Sequence, residues 1–442
     1  MKMRKMARQV SRIVLAVMTL LSFTACDVLP LDIEIPWLTP KSESATQTQL
    51  TPQAPQVTPE QPLDITQTSA PPPTSLTVWL PPDMDPEGAD PSAEILKARL
   101  DAFETQQGID IVVRIKSRDG AGGLLDALTA TSAAAPAALP DVIALSRNDL
   151  EMAALKSLVF TMDGKTTLID AGDWYPYAHD LSFIQGSLYG IPFTGDAQAI
   201  VYRSDIISPA PLSWNELNNA TSVVAFAAND PQAQLTLALY QAAGGAVMDN
   251  QRRPTLEITP LADVLALYDL YVDISEYRNT VLNLTNTSQA WQAYVQGDAE
   301  AAIVPVSTYL REKPQNSGLI MIPPVKDLAL TTGSGWVWAL ATPQIERQNL
   351  AVALMEWLSD AKFLAEWNAA YGGMPPRPSS VEFWSDANLR SMVNQISGMT
   401  ILEPSRAISM SLGVAVREAV VQVIRDGASP GVAAQQAVES VQ

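Results

Sequence analysis

From Leu76 onward the sequence alternates short apolar runs rich in β-formers with longer stretches whose apolar residues recur every three or four positions. Leu76-Thr77-Val78-Trp79-Leu80, bounded by prolines on both sides, predicts a strand. Pro91 to Gln106 predicts a helix, because Ile95, Leu96, Leu100 and Phe103 fall on one face. Ile109 to Ile115 predicts a second strand, Leu124 to Ala130 a helix after a Gly-rich turn, and Pro140-Asp141-Val142-Ile143-Ala144-Leu145 a buried strand. Strands alternating with helices imply a mainly parallel sheet in an open α/β layer. About 365 residues follow Leu76, more than one typical core accommodates, so two domains are expected.

Ahead of this region the pattern is different. Lys2, Arg4, Lys5, Arg8 and Arg12 precede an apolar run from Ile13 to Phe23. That run is short of the roughly 20 residues a bilayer span needs, so residues 1–25 read as a cleavable signal peptide. It ends in Phe23-Thr24-Ala25-Cys26, which resembles a lipoprotein cleavage box with Phe where Leu is usual; Cys26 is then the lipidated residue. Residues 26–74 read as a tether. Pro36 to Pro73 is dominated by Pro, Thr, Gln and Ser, with too few apolar residues to offset the entropy of ordering. In polyproline II it reaches at most on the order of 100 Å.

Charge and cysteine usage narrow the function classes. The formal charge is −19, and loss of residues 1–25 removes five basic and no acidic residues, leaving −24. Such a surface repels phosphate backbones, because binding nucleic acid requires Lys and Arg to replace condensed counterions; no nucleic-acid partner is expected. Cys26 is the single cysteine, so with lipid on it no thiol remains for disulfides, thiolate metal sites or nucleophilic catalysis.

Further along, Leu188-Tyr189-Gly190-Ile191-Pro192-Phe193, then Ala199-Ile200-Val201-Tyr202-Arg203-Ser204-Asp205, then Pro211-Leu212-Ser213-Trp214-Asn215-Glu216-Leu217 follow one another. Val295-Gln296-Gly297-Asp298-Ala299-Glu300-Ala301-Ala302-Ile303 and Tyr371-Gly372-Gly373-Met374-Pro375-Pro376-Arg377 come later. In order and spacing these segments resemble the MalE-like extracellular solute-binding proteins (family 1), with their succession G-x-YGIPF, YYNKD, P-x-TW-x-EL, F-x-x-GKAAM and GG-x-P-x-R. The resemblance implies a periplasmic-binding-protein-like fold of two α/β lobes joined by a hinge that the chain crosses three times, with the ligand cleft between them. Crossings are expected near Pro192 to Ala197, near Ile303 to Ser307 and near Ala339 to Pro343. Lobe 1 is then residues 75–194 and 306–340, and lobe 2 residues 195–305 and 341–442. The resemblance further implies capture of a small solute, a sugar or oligosaccharide first among them, and delivery to the permease of an ABC importer. It implies an extracytoplasmic monomer held on the outer face of the cytoplasmic membrane through Cys26, without a cofactor and without catalysis.

Candidate cleft residues come partly from that likeness and partly from residue chemistry. Trp336 and Trp338 lie in Gly333-Ser334-Gly335-Trp336-Val337-Trp338-Ala339-Leu340, where strand alternation puts both indoles on one face. An indole is a flat apolar surface suited to a sugar's C–H face, with interlobe core as the competing role. Tyr371 and Arg377 occupy the late turn; Arg377 is either a solute partner or a brace for its own Pro-rich loop. Thr194, Asp196 and Ser307 are hinge-proximal polar groups that contact solute or hydrogen-bond the hinge itself, and Gly195 can absorb a change in backbone angles during closure.

Asp83-Met84-Asp85-Pro86-Glu87-Gly88, with Glu94 six residues later, matches the spacing of a calcium loop. Prolines at loop positions four and nine, Asp90 at position eight and a strand in place of the entering helix depart from it. We read these acids as a solvated cleft rim, with Asp90 or Ser92 capping the first helix, Asp83 or Asp85 reaching solute, and no metal. Among enzyme readings, a Ser-His-Asp triad would depend on His179, the only histidine, and no G-x-S-x-G elbow accompanies it. A paired-carboxylate glycosidase leaves no fixed spacing and stays open at this stage, as does a solute-sensing lobe that does not transport.

Overall fold

The computed structural model describes residues 73–220, 223–269, 275–326 and 328–441; the expected signal peptide, Cys26 and the expected tether up to residue 72 lie outside the described residues. Among the described residues, one nine-stranded sheet carries the strands β1 (Ser75–Leu80), β2 (Asp110–Ile115), β3 (Val142–Ser146), β6 (Gly190–Arg203), β7 (Val224–Ala225), β8 (Ala301–Pro305), β9 (Ser317–Ile320), β10 (Thr331–Leu340) and β11 (Thr400–Leu402). A separate hairpin pairs β4 (Phe183–Ile184) with β5 (Ser187–Leu188).

Lobe 1 is built as its sequence pattern predicts. β1 lies between β2 and β3, parallel to both. β3 is an apolar run buried along almost its whole length, as a strand covered on both faces must be. β2, at the edge, alternates exposed and half-buried positions and carries Arg114 outward, which discourages pairing with another chain. The first helix runs Pro91–Gln107, with Pro at its first position and Gly108 closing it at φ +68°. Asp90 stands at its N-cap without a side-chain cap bond.

Two long strands join the lobes. β6 pairs through Gly190–Ala197 with β10, then through Gln198–Tyr202 with β8 and through Ile200–Arg203 with β9. β10 pairs at Thr331–Gly333 with β11 and at Trp336–Leu340 with β3. The chain therefore changes lobes at 197/198, within β10 near 334, and again on reaching β11. β9, expected in lobe 1, pairs with the lobe 2 half of β6. The helices Ile345–Trp357 and Ala361–Tyr371, expected in lobe 2, pack on lobe 1: Arg347 bonds Asp141 and the Ser75 carbonyl, and Arg99 bonds the Trp357 carbonyl. An apolar run meeting small residues marks any strand end, so the pattern near 303–307 and 339–343 does not distinguish a strand that stops from one that crosses.

Candidate functional site

The parallel strands β1 and β2 end side by side at Leu80 and Ile115, β3 runs two residues farther to Ser146, and this carboxyl edge is where open α/β sheets place ligands. β10 runs antiparallel to β3 and sets Trp336 opposite Ser146, at the same edge. The loop after β1 carries Asp83 and the loop after β2 carries Arg118. The guanidinium carbon of Arg118 lies 4.5 Å from the centroid of the Trp336 ring, and its N–H groups bond the Asp83 carboxylate. From the helix Ala361–Tyr371 the Tyr371 hydroxyl donates to Asp83 Oδ2 at 2.6 Å, while its ring stacks on Trp367 with centroids 4.6 Å apart. Burial and the Asp83 charge hold the Tyr371 hydroxyl well above the ordinary phenol range, so it stays a donor.

The hinge groups are close by and bond one another. Asp196 Oδ1 accepts from the backbone N–H of Ser307 at 3.0 Å and of Ala197 at 2.9 Å, and Oδ2 accepts from the Ser307 hydroxyl. Arg311 donates to Ser307 Oγ at 3.0 Å. Burial raises the Asp196 carboxyl above the usual range against the pull of these Ser307 bonds. Asp196 and Ser307 thus tie β6 to the helix Val306–Glu312 rather than facing outward. Gly195 is required for space: a Cβ there would lie 2.1 Å from the Tyr177 hydroxyl. Thr194 pairs with Trp336 across β6 and β10, and its hydroxyl is buried without a partner. Asn368 donates both amide hydrogens, to the carbonyls of Phe193 and Leu364 at 2.9 Å each, which leaves its Oδ1 bare beside Thr194. Both atoms crowd Gly373, where a Cβ would be 2.2 Å from Thr194 Oγ1 and 2.7 Å from Asn368 Oδ1.

Lobe 2 supplies the facing wall. A cavity of about 310 Å³ lies between Asp83, Asp90, Ser92 and Tyr371 on one side and Leu310, Arg311 and Lys313 on the other. Glu403, following β11, accepts from Gln234 Nε2 at 3.4 Å; burial, reinforced by the Asp196 charge, pushes its carboxyl up to about 7. Asp149, beside the carboxyl edge of β3, bonds Ser146 reciprocally at the start of the helix Arg147–Leu155, and burial holds its carboxyl above the usual range.

Other predicted site residues are not brought here. Trp338 lies two positions farther from the carboxyl edge, opposite Ala144; it is 2% exposed and stacks on Phe193 with centroids 4.0 Å apart. It is core. Arg377 bonds Asp173 at 2.9 Å and the Ser359 carbonyl at 2.8 Å, and Asp173 in turn accepts from Ser379, so Arg377 braces its own turn. Asp85 accepts from the Glu87 N–H at 2.9 Å, and Glu87 pairs with Lys97 at 2.6 Å, so the acids of the predicted calcium spacing turn to separate partners. His179 is half-exposed, 3.5 Å from Asp180 and against the Phe183 ring. Sequence reasoning missed Arg118, Asn368, Gln234 and Glu403. Arg118 was within reach of it, since it follows a parallel strand's carboxyl end just as Asp83 does; Glu403 and Gln234 carry no local signal.

The sequence profile of the bacterial extracellular solute-binding proteins matches residues 98–391. No curated protein sequence matches the chain. Among solved structures the fold is similar to the sugar-binding protein MalE from Xanthomonas citri, with TM-score 0.68 and 19% identity over 83% of this chain and 96% of that one. It is similar to the cyclic α-maltosyl-1,6-maltose binding protein from Arthrobacter globiformis, with TM-score 0.68 and 16% identity over 84% and 98%. A solute-binding protein of an ABC transporter from Thermotoga lettingae, bound with α-D-tagatose, gives TM-score 0.61 and 16% identity over 83% and 98%. At these identities the likeness is one of fold, two α/β lobes about a shared hinge. The profile match covers more than half of the sequence, and on it the chain belongs to the bacterial extracellular solute-binding proteins.

Proposed function

We propose that the protein captures a sugar or oligosaccharide in the cleft between its lobes and hands it to the permease of an ABC importer. The observation that carries this reading is the Trp336 indole at the carboxyl edge of lobe 1, flanked by Asp83, Arg118 and Tyr371. A sugar needs a flat apolar surface for its C–H face and charged or hydroxyl groups around it for its hydroxyls. The similar structures named above are of sugar-binding proteins or hold a bound sugar, which points the same way. Solute bound on one lobe stabilises closure in proportion to its greater affinity for the closed form, and the permease reads that form. Lipid on Cys26 would hold the protein at the outer face of the cytoplasmic membrane, and the Pro-rich tether would give it reach.

Thermal unfolding of the protein against mono- and oligosaccharides, polyols, amino acids and polyamines tests the reading. A saccharide at 100 times its dissociation constant adds about 2.7 kcal/mol, a rise of several degrees. Stabilisation by an amino acid or polyamine alone would replace sugar with that class, and a cleaved saccharide would replace capture with hydrolysis. For the anchor, Cys26→Ser is expected to move the protein from the membrane fraction to the soluble one; retention in the membrane would overturn lipidation.

A further inference from the structure

The guanidinium of Arg118 lies over the Trp336 ring at the lobe 1 edge of the cleft, 4.5 Å from its centroid. Trp336 itself is 9% exposed, although its strand position opposite Ser146 sets it where the loops open toward lobe 2. A guanidinium is planar and weakly hydrated, and it stacks on an indole much as a flat ring does. Asp83 holds it there through its carboxylate, and Tyr371 bonds the same Asp83 oxygen at 2.6 Å.

Building on the solute-capture reading, we infer that Arg118 is a specificity-determining residue that occupies the solute's place on Trp336, so that a solute binds by displacing it and taking over both of its contacts. Arg118 can leave at little cost, because its side chain is 42% exposed and its partner Asp83 40%, a setting in which an ion pair contributes little. Asp83 stays in position when it goes, through Tyr371. The chemistry of the displacing solute follows from what Arg118 satisfies: an apolar face for the indole and an O–H or N–H donor for the carboxylate. A polyhydroxylated or amino-substituted ring supplies both. A carboxylate-bearing solute sets a second negative charge against Asp83, and a purely apolar one gives Asp83 nothing in exchange for the Arg118 N–H, so the Arg118–Asp83 pair disfavours both classes.

Two measurements test this, one without any solute. Acrylamide quenching attributable to Trp336 is obtained as the difference between the protein and its Trp336→Phe variant, and Arg118→Ala is expected to increase it. Unchanged quenching would mean that Arg118 does not cover the ring, and the inference would fall whether or not any sugar binds. In calorimetry with the saccharide found by the thermal panel, Arg118→Ala is expected to bind roughly five- to tenfold more tightly, the combined loss of a cation–π contact and a surface pair. The same substitution in the Trp336→Phe background is expected to give a smaller gain. Weaker binding by Arg118→Ala would make Arg118 a direct partner of the bound solute and overturn displacement. If neither protein binds any saccharide, sugar capture fails, and the quenching result still decides whether Arg118 occupies the face.

Discussion

Trp336 and Trp338 are two residues apart on one strand and differ in what surrounds them. Trp338 stacks on Phe193 inside lobe 1, so Trp338→Ala is expected to cost about 3–5 kcal/mol in urea unfolding, as large-to-small core changes do. Trp336→Ala is expected to cost under half of that while abolishing solute binding; equal losses of stability would place both rings in the core. Glu403 sets a pH dependence. Folded, its carboxyl keeps the proton up to about 7, whereas the ordinary value of 4.5 applies once the chain unfolds. The unfolded state therefore releases its proton first as pH rises, and the protein loses stability through that window; the loss is absent below it and constant above it. Urea midpoints should fall across the window, and Glu403→Gln should flatten the fall. A profile unchanged by the substitution would assign the dependence to other groups.

At the scale of elements, the start of lobe 1 depends on a pair far apart in sequence. Asp141, 2% exposed at its side chain just before β3, receives both Nε and Nη2 of Arg347 at 2.6 Å, and accepts from the Thr77 N–H of β1 at 2.7 Å. Arg347 also donates to the Ser75 carbonyl. Asp141→Ala leaves the half-buried guanidinium and a strand N–H without their partner, and a loss of about 3–5 kcal/mol is expected from chemical denaturation. A change below 1 kcal/mol would show that solvent replaces the pair. These same elements show what the sequence made legible. The strands, the first helix with its Pro and Gly boundaries, and the carboxyl edge that carries Asp83 follow from local patterns of apolar residues and turn formers. The lobe membership of β9 and of the helices from Ile345 to Tyr371 does not, because it is decided by pairing partners more than a hundred residues away. Likewise Trp336 and Trp338 share a strand face and are both largely buried, and only their neighbours, Arg118 over one and Phe193 against the other, tell them apart.

For the molecule as a whole, β6 and β10 serve both lobes, so any closing motion bends strands that are themselves part of the two cores. Gly195 lies at that bend against the Tyr177 hydroxyl, which is buried without a partner. Gly195→Ala is expected to destabilise by about 1–3 kcal/mol through overpacking, and Tyr177→Phe in the same chain to restore part of it by removing the hydroxyl. Failure of the second substitution to help would locate the strain in the backbone.

The shared strands also bear on how the chain folds. Lobe 1 is closed by contacts that span most of the sequence: Arg347 to Ser75 across 272 residues and Tyr371 to Asp83 across 288. Lobe 2 in turn waits for β11 and the helix Arg406–Asp426. Contacts of such separation form slowly, because the closing of long loops comes before any gain from them. Both lobes are therefore expected to be completed only once the last part of the chain is available to them. The architecture that makes a hinge, with strands shared by both lobes and closing contacts far apart in sequence, thus also makes folding late and non-local.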